Sequence, residues 1–265
     1  MSTLPHPASL FRAALARPTG LALGTWIKLP GTEVVELAGL AGFDFVVIDL
    51  EHAPTSTETA SRQIAAALFS GVSPLVRVPG LDAGLVQRLL DAGAEGIMVP
   101  HVDTVEQARA AVAAVRFPPL GTRGVGSTSR AGAWGAVSRA DYLKYGNEEV
   151  VVIAQLESRA AAENAAAIAA VEGMDALLVG AADLSTSEGR TEADPVIVDL
   201  IAGAIRAAHD AGRPIGNAGG ASEAAVRAAI DAGYAFTLMS NDASLLREAA
   251  AAAVAAGRAA STASG

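Results

Sequence analysis

The 265 residues are 51% hydrophobic, carry a net charge of -9 and have a pI near 4.9. That balance speaks for one domain with a sizeable core and against nucleic acid or an anionic membrane as partner. The absence of cysteine excludes disulfides, thiolate nucleophiles and cysteine-ligated zinc, so any metal must be held by oxygen or imidazole.

Along the chain, Met1 to Gly20 lacks the charged start and apolar core of a signal peptide and reads as an N-terminal helical extension. No run is apolar for long enough to span a bilayer, so a cytoplasmic location is expected. Short β-branched or apolar runs then predict strands at Leu21 to Thr25, Phe45 to Asp49, Pro74 to Val78 and Gly96 to Val99. Four more fall at Val150 to Leu156, Ala176 to Val179, Pro214 to Asn217 and Phe236 to Met239. Helical patterns start near Thr32, Thr57, Asp82, Thr104, Ser158, Pro195, Ser222 and Asp242, several behind a Ser, Thr or Asp that acts as N-cap. Ala140 to Tyr145 reads as a peripheral helix after the fourth strand. The Ala-rich stretch Ala249 to Gly265 continues the last helix into a tail. Eight strands alternating with helices over this length match a single-domain α/β fold, the (β/α)8 TIM barrel, in count and size.

In such a barrel the C-terminal ends of all strands meet at one mouth. Trp26 and Lys28 follow the first strand, Asp49, Glu51 and His52 the second, and Arg77 ends the third. His101 follows the fourth, Gln155 and Glu157 end the fifth, and Asp183 follows the sixth. Asn217 belongs to the seventh and Ser240 to Asp242 to the eighth. The densest stretch is Ile48-Asp49-Leu50-Glu51-His52-Ala53-Pro54, where three ionisable side chains follow an apolar run. A Schiff-base mechanism needs a desolvated lysine in the pocket. The two lysines supply it poorly, since Lys144 sits on the peripheral helix and Lys28 lies beyond the end of its strand. Glu157 and Asp183 end neighbouring strands, and two carboxylates with water and a substrate oxygen form a shell for a divalent ion such as Mg or Mn. Taken singly, Glu157 reads equally as a helix-dipole acid and Asp183 as a turn residue; their pairing favours the metal.

Several motifs in order resemble the HpcH/HpaI family of class II pyruvate aldolases, which includes 4-hydroxy-2-oxoheptanedioate aldolase and 2-dehydro-3-deoxyglucarate aldolase. They are Gly42-Phe43-Asp44-Phe45 leading into Ile48 to Pro54, then Val76-Arg77, Pro118 to Ser127, Gln155-Leu156-Glu157 and Gly180 to Ser185. The resemblance runs from about Leu21 to Leu246. It implies a metal-dependent cleavage of 4-hydroxy-2-oxo acids to pyruvate and an aldehyde, with Mg, Mn or Co held by Glu157 and Asp183. It further implies that Gln155 lies beside the ligands, that His52 paired with Asp49 is the catalytic base, and that Glu51 stands behind the metal site. Arg77 would stabilise the pyruvate enolate, and the backbone amides of Ala182 and Asp183 would receive the pyruvate carboxylate. Asp91 resembles an acid that reaches a neighbouring subunit's site in hexameric members, so a homohexamer is implied. Arg123 would line the pocket and contact the carboxylate of a distal aldehyde. Two departures stand out: Ala181 where the family has Pro, and a compacted segment from Thr128 to Gly135.

The same roles make physical sense. Cleavage requires removing a hydroxyl proton and holding the electron pair released, which suits a base at His52 and a cation at Arg77. Among the remaining residues, His101 either lines the pocket or caps the helix begun at Thr104, and Trp26 and Trp134 either wall the pocket or pack in the core. Asn217 to Ser222 reads as a small-residue turn rather than a phosphate loop. Rival readings are a CoA-thioester lyase of malyl or citramalyl type, for which the acidic chain offers no basic patch, a phosphate-binding barrel isomerase, and a non-catalytic oxo-acid-binding barrel.

Overall fold

The computed structural model describes residues 8–18 and 20–262. The strands are β1 (Ala22–Ile27), β2 (Phe45–Asp49), β3 (Ser73–Arg77), β4 (Gly96–Val99), β5 (Val151–Leu156), β6 (Ala176–Val179), β7 (Ile215–Gly219) and β8 (Phe236–Asn241). They pair in parallel, each with the next and β8 with β1, and close a barrel. The helices are α1 (Leu10–Leu15), α2 (Glu33–Ala41), α3 (Thr57–Phe69), α4 (Ala83–Asp91), α5 (Val105–Val115) and α6 (Arg139–Glu148). They continue with α7 (Arg159–Glu163), α8 (Ala165–Ala169), α9 (Ala181–Ser187), α10 (Pro195–Asp210), α11 (Glu223–Asp231) and α12 (Asp242–Thr262). Caps start most of the outer helices where the side chains predict: Asp82, Ser158 and Ser222 each accept a backbone N–H of the first turn, and Thr104 with Gln107 forms a capping box.

Strand alternation sorts the core into two layers. Outward side chains such as Ile48, Val76, Ile97 and Val152 pack under the helices. Inward ones, among them Phe45, Val47, Leu75, Met98, Ile153, Leu178 and Phe236, fill the barrel. A Cβ on Gly24 would lie 2.3 Å from the Phe45 ring and one on Gly216 2.3 Å from the Phe236 ring, so these two glycines make room for the aromatics. β1 runs two residues further than the apolar run predicts, which places Trp26 inside the strand rather than after it. β8 likewise takes in Ser240 and Asn241.

The short helix α1 closes the end where the strands begin. Phe11 meets Phe45 and Phe236 edge-on, with ring centroids 5.0 and 5.3 Å apart. Glu95, buried just before β4, accepts from the backbone of Leu10 at 2.8 Å and from the hydroxyls of Ser73 at 2.7 Å and Ser9 at 3.2 Å. Burial pushes its carboxyl up, and these hydrogen bonds only partly oppose the rise. A carboxyl that holds its proton to higher pH in the folded chain than in the unfolded one makes folding less favourable as pH rises from the usual glutamate value towards the raised one. Glu95→Gln is therefore expected to flatten that part of a stability-against-pH curve from urea unfolding. An equal slope in both proteins would contradict it.

At the opposite end of the chain, α12 packs its first turn beside β1 and β8, and from Leu246 onwards the described residues are exposed. No helix of the described residues is long and apolar enough to cross a membrane.

Candidate active site

The mouth is organised by a buried acid. Asp49 and Arg77 are register partners on β2 and β3, which places both inward at the last position of their strands. Arg77 Nε lies 3.1 Å from Asp49 Oδ1 and Nη2 2.8 Å from Oδ2, a two-pronged pair, while Nη1 stands 3.1 Å from Glu51 Oε2. The guanidinium sits 4.1 Å over the Trp26 ring, and its side chain is only 5% exposed. Lys28 Nζ reaches back from the end of β1 to 3.0 Å from Asp49 Oδ2. Burial alone would raise the Asp49 carboxyl, but hydrogen bonds from Arg77, its charge, and Lys28 outweigh burial and hold it at about 2.

Across the mouth, Glu157 is buried at the end of β5. Gln155 Nε2 donates to its Oε1 at 2.6 Å, and the backbone N–H of His101 donates to Oε2 at 3.0 Å. Burial is the main cause that raises its carboxyl; the bond and charge of His101 oppose the rise, and the nearby charges of Glu51 and Asp183 add to it. A Cβ on Gly180 would sit 2.8 Å from Glu157 Cγ, so the carboxylate depends on a residue without one. Asp183 follows in the first turn of α9, whose opening amides, including those of Ala182 and Asp183, have no partner within the helix. The buried Oε1 of Gln155 has no hydrogen-bond partner. Two mutually repelling carboxylates and an orphaned amide oxygen form a hard oxygen set that fits a divalent cation. Among the described residues no three Asp, Glu or His side chains form a ready ligand cluster, so the protein's share of such a shell is small.

Several sequence readings change in three dimensions. Asp49 does not touch the imidazole of His52. It accepts the backbone N–H of His52 at 3.2 Å and of Glu51 at 3.0 Å, and its remaining capacity goes to Arg77 and Lys28. The His52 ring is 54% exposed and faces Glu51, with Nε2 3.7 Å from Oε2. His101 belongs to the mouth and does not cap α5. It takes φ 55°, a left-handed conformation, and its ring spans Glu51 Oε1 at 3.0 Å and Glu157 Oε2 at 3.1 Å. The signal for it was a histidine directly after Val99-Pro100 at a strand end.

Arg123 does not line the mouth. It is buried against Phe117 and donates to Asp91 at 2.8 Å and to the Tyr142 hydroxyl at 3.2 Å. Asp91 ends α4, five residues before β4 begins at Gly96, so this cluster lies on the side away from the mouth. Trp134 is 69% exposed and so is not a core residue; it lies beside Arg130 in a short 3-10 helix, Arg130–Gly135. Asn217 and Gly219 are part of β7, and Ser222 caps α11, so the small-residue turn runs directly from the strand into the helix.

The model of the HpcH/HpaI aldolase/citrate lyase family matches residues 22–263. The chain belongs to that family. Among its relatives, the hydroxypyruvate/pyruvate aldolase of Chromohalobacter salexigens is 40% identical, over 92% of this chain and 95% of its own. The 5-keto-4-deoxy-D-glucarate aldolase of Shigella boydii serotype 18 is 36% identical, over 94% and 96%. The crystal structure of an HpcH/HpaI aldolase/citrate lyase family protein from Burkholderia cenocepacia J2315 superposes with a TM-score of 0.87 at 35% identity, covering 94% of this chain and 98% of that one. Like these family members, the protein is an enzyme, a carbon–carbon lyase of the aldolase kind.

Proposed function

We propose that the protein reversibly cleaves a 4-hydroxy-2-oxo acid to pyruvate and an aldehyde, with a divalent cation (Mg, Mn or Co) held by Glu157 and Asp183. The observation that carries this reading is the facing of a buried, aromatic-backed Arg77 and the Glu157 and Asp183 pair across one barrel mouth. The names of the pyruvate and keto-deoxy-sugar aldolases among the relatives support it.

In the cleavage direction, His52 at the open edge of the mouth takes the proton of the C4 hydroxyl. The C3–C4 bond breaks, C4 becomes the aldehyde carbonyl, and the electron pair passes into pyruvate enolate, which then gains a proton at C3. Glu51, rather than Asp49, is the carboxylate that faces the His52 ring and offsets its positive charge. Arg77 keeps unspent N–H donors while Asp49, Glu51 and Trp26 fix its plane, so its charge is preorganised for the enolate oxygen. The opening amides of α9, at Ala182 and Asp183, receive the pyruvate carboxylate, and Gln155 orients Glu157. The chemistry a bound cation supplies is Lewis-acid polarisation of the 2-oxo group. The reading includes a homo-oligomer, a hexamer by family resemblance. Exposed Leu246 and Val254 on α12 and Leu37 and Leu40 on α2 support association with further copies.

Incubation with pyruvate in heavy water tests the chemistry without the unknown aldehyde. Methyl protons are expected to exchange only when a divalent metal is present. Glu157→Ala should weaken metal binding in calorimetry. His52→Ala should retain metal binding and slow exchange about a hundredfold, the usual contribution of a positioned base. Full exchange in chelated Glu157→Ala protein would end the metal reading, and metal loss in His52→Ala would make His52 a ligand.

A further inference from the structure

Lys28 is placed with more care than an ion-pair partner needs. It opens the connection from β1 to α2, and two buried side chains hold that connection. Asp242 accepts the backbone N–H of Lys28 and of Leu29, each at 3.0 Å. Gln63, from α3, donates to the carbonyls of Leu29 at 2.8 Å and Gly31 at 3.3 Å. A solvated loop would satisfy these groups with water, so two buried polar side chains spent on it fix the position of its first residue.

The side chain they anchor is partly exposed. In the ion-paired chain, the Asp49 side chain is 0% exposed, that of Arg77 5% and that of Lys28 30%. An ammonium has three donors, and Asp49 is the partner the structure gives it among the described residues. Glu51, Glu157 and Asp183 make the nearby rim acidic, and its other basic groups, Arg77, His52 and His101, each face Asp49 or one of these acids. Other cations are engaged elsewhere: Arg123 is buried with Asp91, and Arg159 is paired with Glu188 and Glu163. With Arg77 only 5% exposed and assigned to the enolate oxygen, Lys28 is the side-chain ammonium at this mouth left to meet a negatively charged substrate tail.

We propose that Lys28 is a specificity-determining residue that receives a carboxylate on the aldehyde half of the substrate. The proposal rests on the aldolase reading and deepens it, because it names the class of aldehyde: one that is anionic. Substrates whose aldehyde half is neutral leave the ammonium only Asp49, and a carboxylate adds a second charge-assisted partner.

The test is the selectivity of pyruvate addition, measured as kcat/KM on two matched pairs of aldehydes: glyoxylate against glycolaldehyde, and succinate semialdehyde against butanal. In Lys28→Met the ratio of charged to neutral acceptor is expected to fall at least tenfold for one pair, and Lys28→Arg should recover most of it. Lys28→Gln, which keeps a donor for Asp49, provides a second neutral variant should the methionine protein fold poorly. If Lys28 acted only through Asp49, both members of each pair would slow together, and an unchanged ratio would overturn the proposal. Proton exchange into pyruvate by the unaltered protein is followed alongside. Its absence would remove the aldolase reading and the proposal with it, whereas intact exchange with an unmoved ratio removes Lys28 alone.

Discussion

Arg77→Lys is expected to slow both pyruvate proton exchange and retro-aldol cleavage by roughly 3 kcal/mol in the chemical step, the scale set by losing one oxyanion donor. A lysine carries the same charge on a single nitrogen. It cannot meet both Asp49 oxygens and Glu51 while keeping donors turned to the substrate, as the guanidinium does from Nε, Nη1 and Nη2. An Arg77 that merely held the rim together would lower the unfolding midpoint and leave the rates of the folded protein intact. The two measurements therefore separate the roles: normal rates in folded Arg77→Lys protein would remove Arg77 from the mechanism.

Asp49→Ala should produce the largest loss of stability, about 3–5 kcal/mol, because it strands buried Arg77 without its main counter-charge. It also leaves Lys28 and the backbone amides of Glu51 and His52 without their acceptor. The pH dependence has a definite sign. The folded carboxyl lies at about 2 against an ordinary 3.8, so its contribution is fully present above the ordinary value and lost as pH falls through about 2. That shift corresponds to about 2 kcal/mol, as an order of magnitude. Urea unfolding at a series of acid pH values should show this loss in the unaltered protein and not in Asp49→Ala; parallel acid limbs would contradict it.

Much of this was legible in the chain because the barrel is written in local patterns. Apolar runs such as Phe45 to Ile48 mark strands, and caps such as Asp82 and Thr104 mark helix starts, so the rim positions of Asp49, Arg77, Gln155 and Glu157 followed from counting. Which rim groups touch was not legible, since that depends on register and on the turn after each strand. Asp49 and His52 are three residues apart and invite pairing. The chain after β2 instead turns its own amides onto Asp49, and the neighbour in register, Arg77, takes the rest. Lys28 read as a mouth residue that lies past β1 and is poorly placed for a Schiff base; that its long side chain folds back over the strand end onto Asp49 was not legible. Arg123 read as a loop residue at a pocket; its burial comes from Phe117 and Tyr142, which only the tertiary fold brings together. The acid of Glu95 drew no attention in sequence, since what marks it out is the α1 backbone that meets it from the chain's far end.

Asp242 ties two distant parts of the molecule to one carboxylate. It is the first residue of a 21-residue helix, and its side chain holds the loop that carries Lys28. A helix of that length is about 30 Å long, so it forms a lever whose pivot is at the barrel mouth. Helix and loop therefore share one anchor: the carboxylate that opens α12 is the one that holds the amides of Lys28 and Leu29.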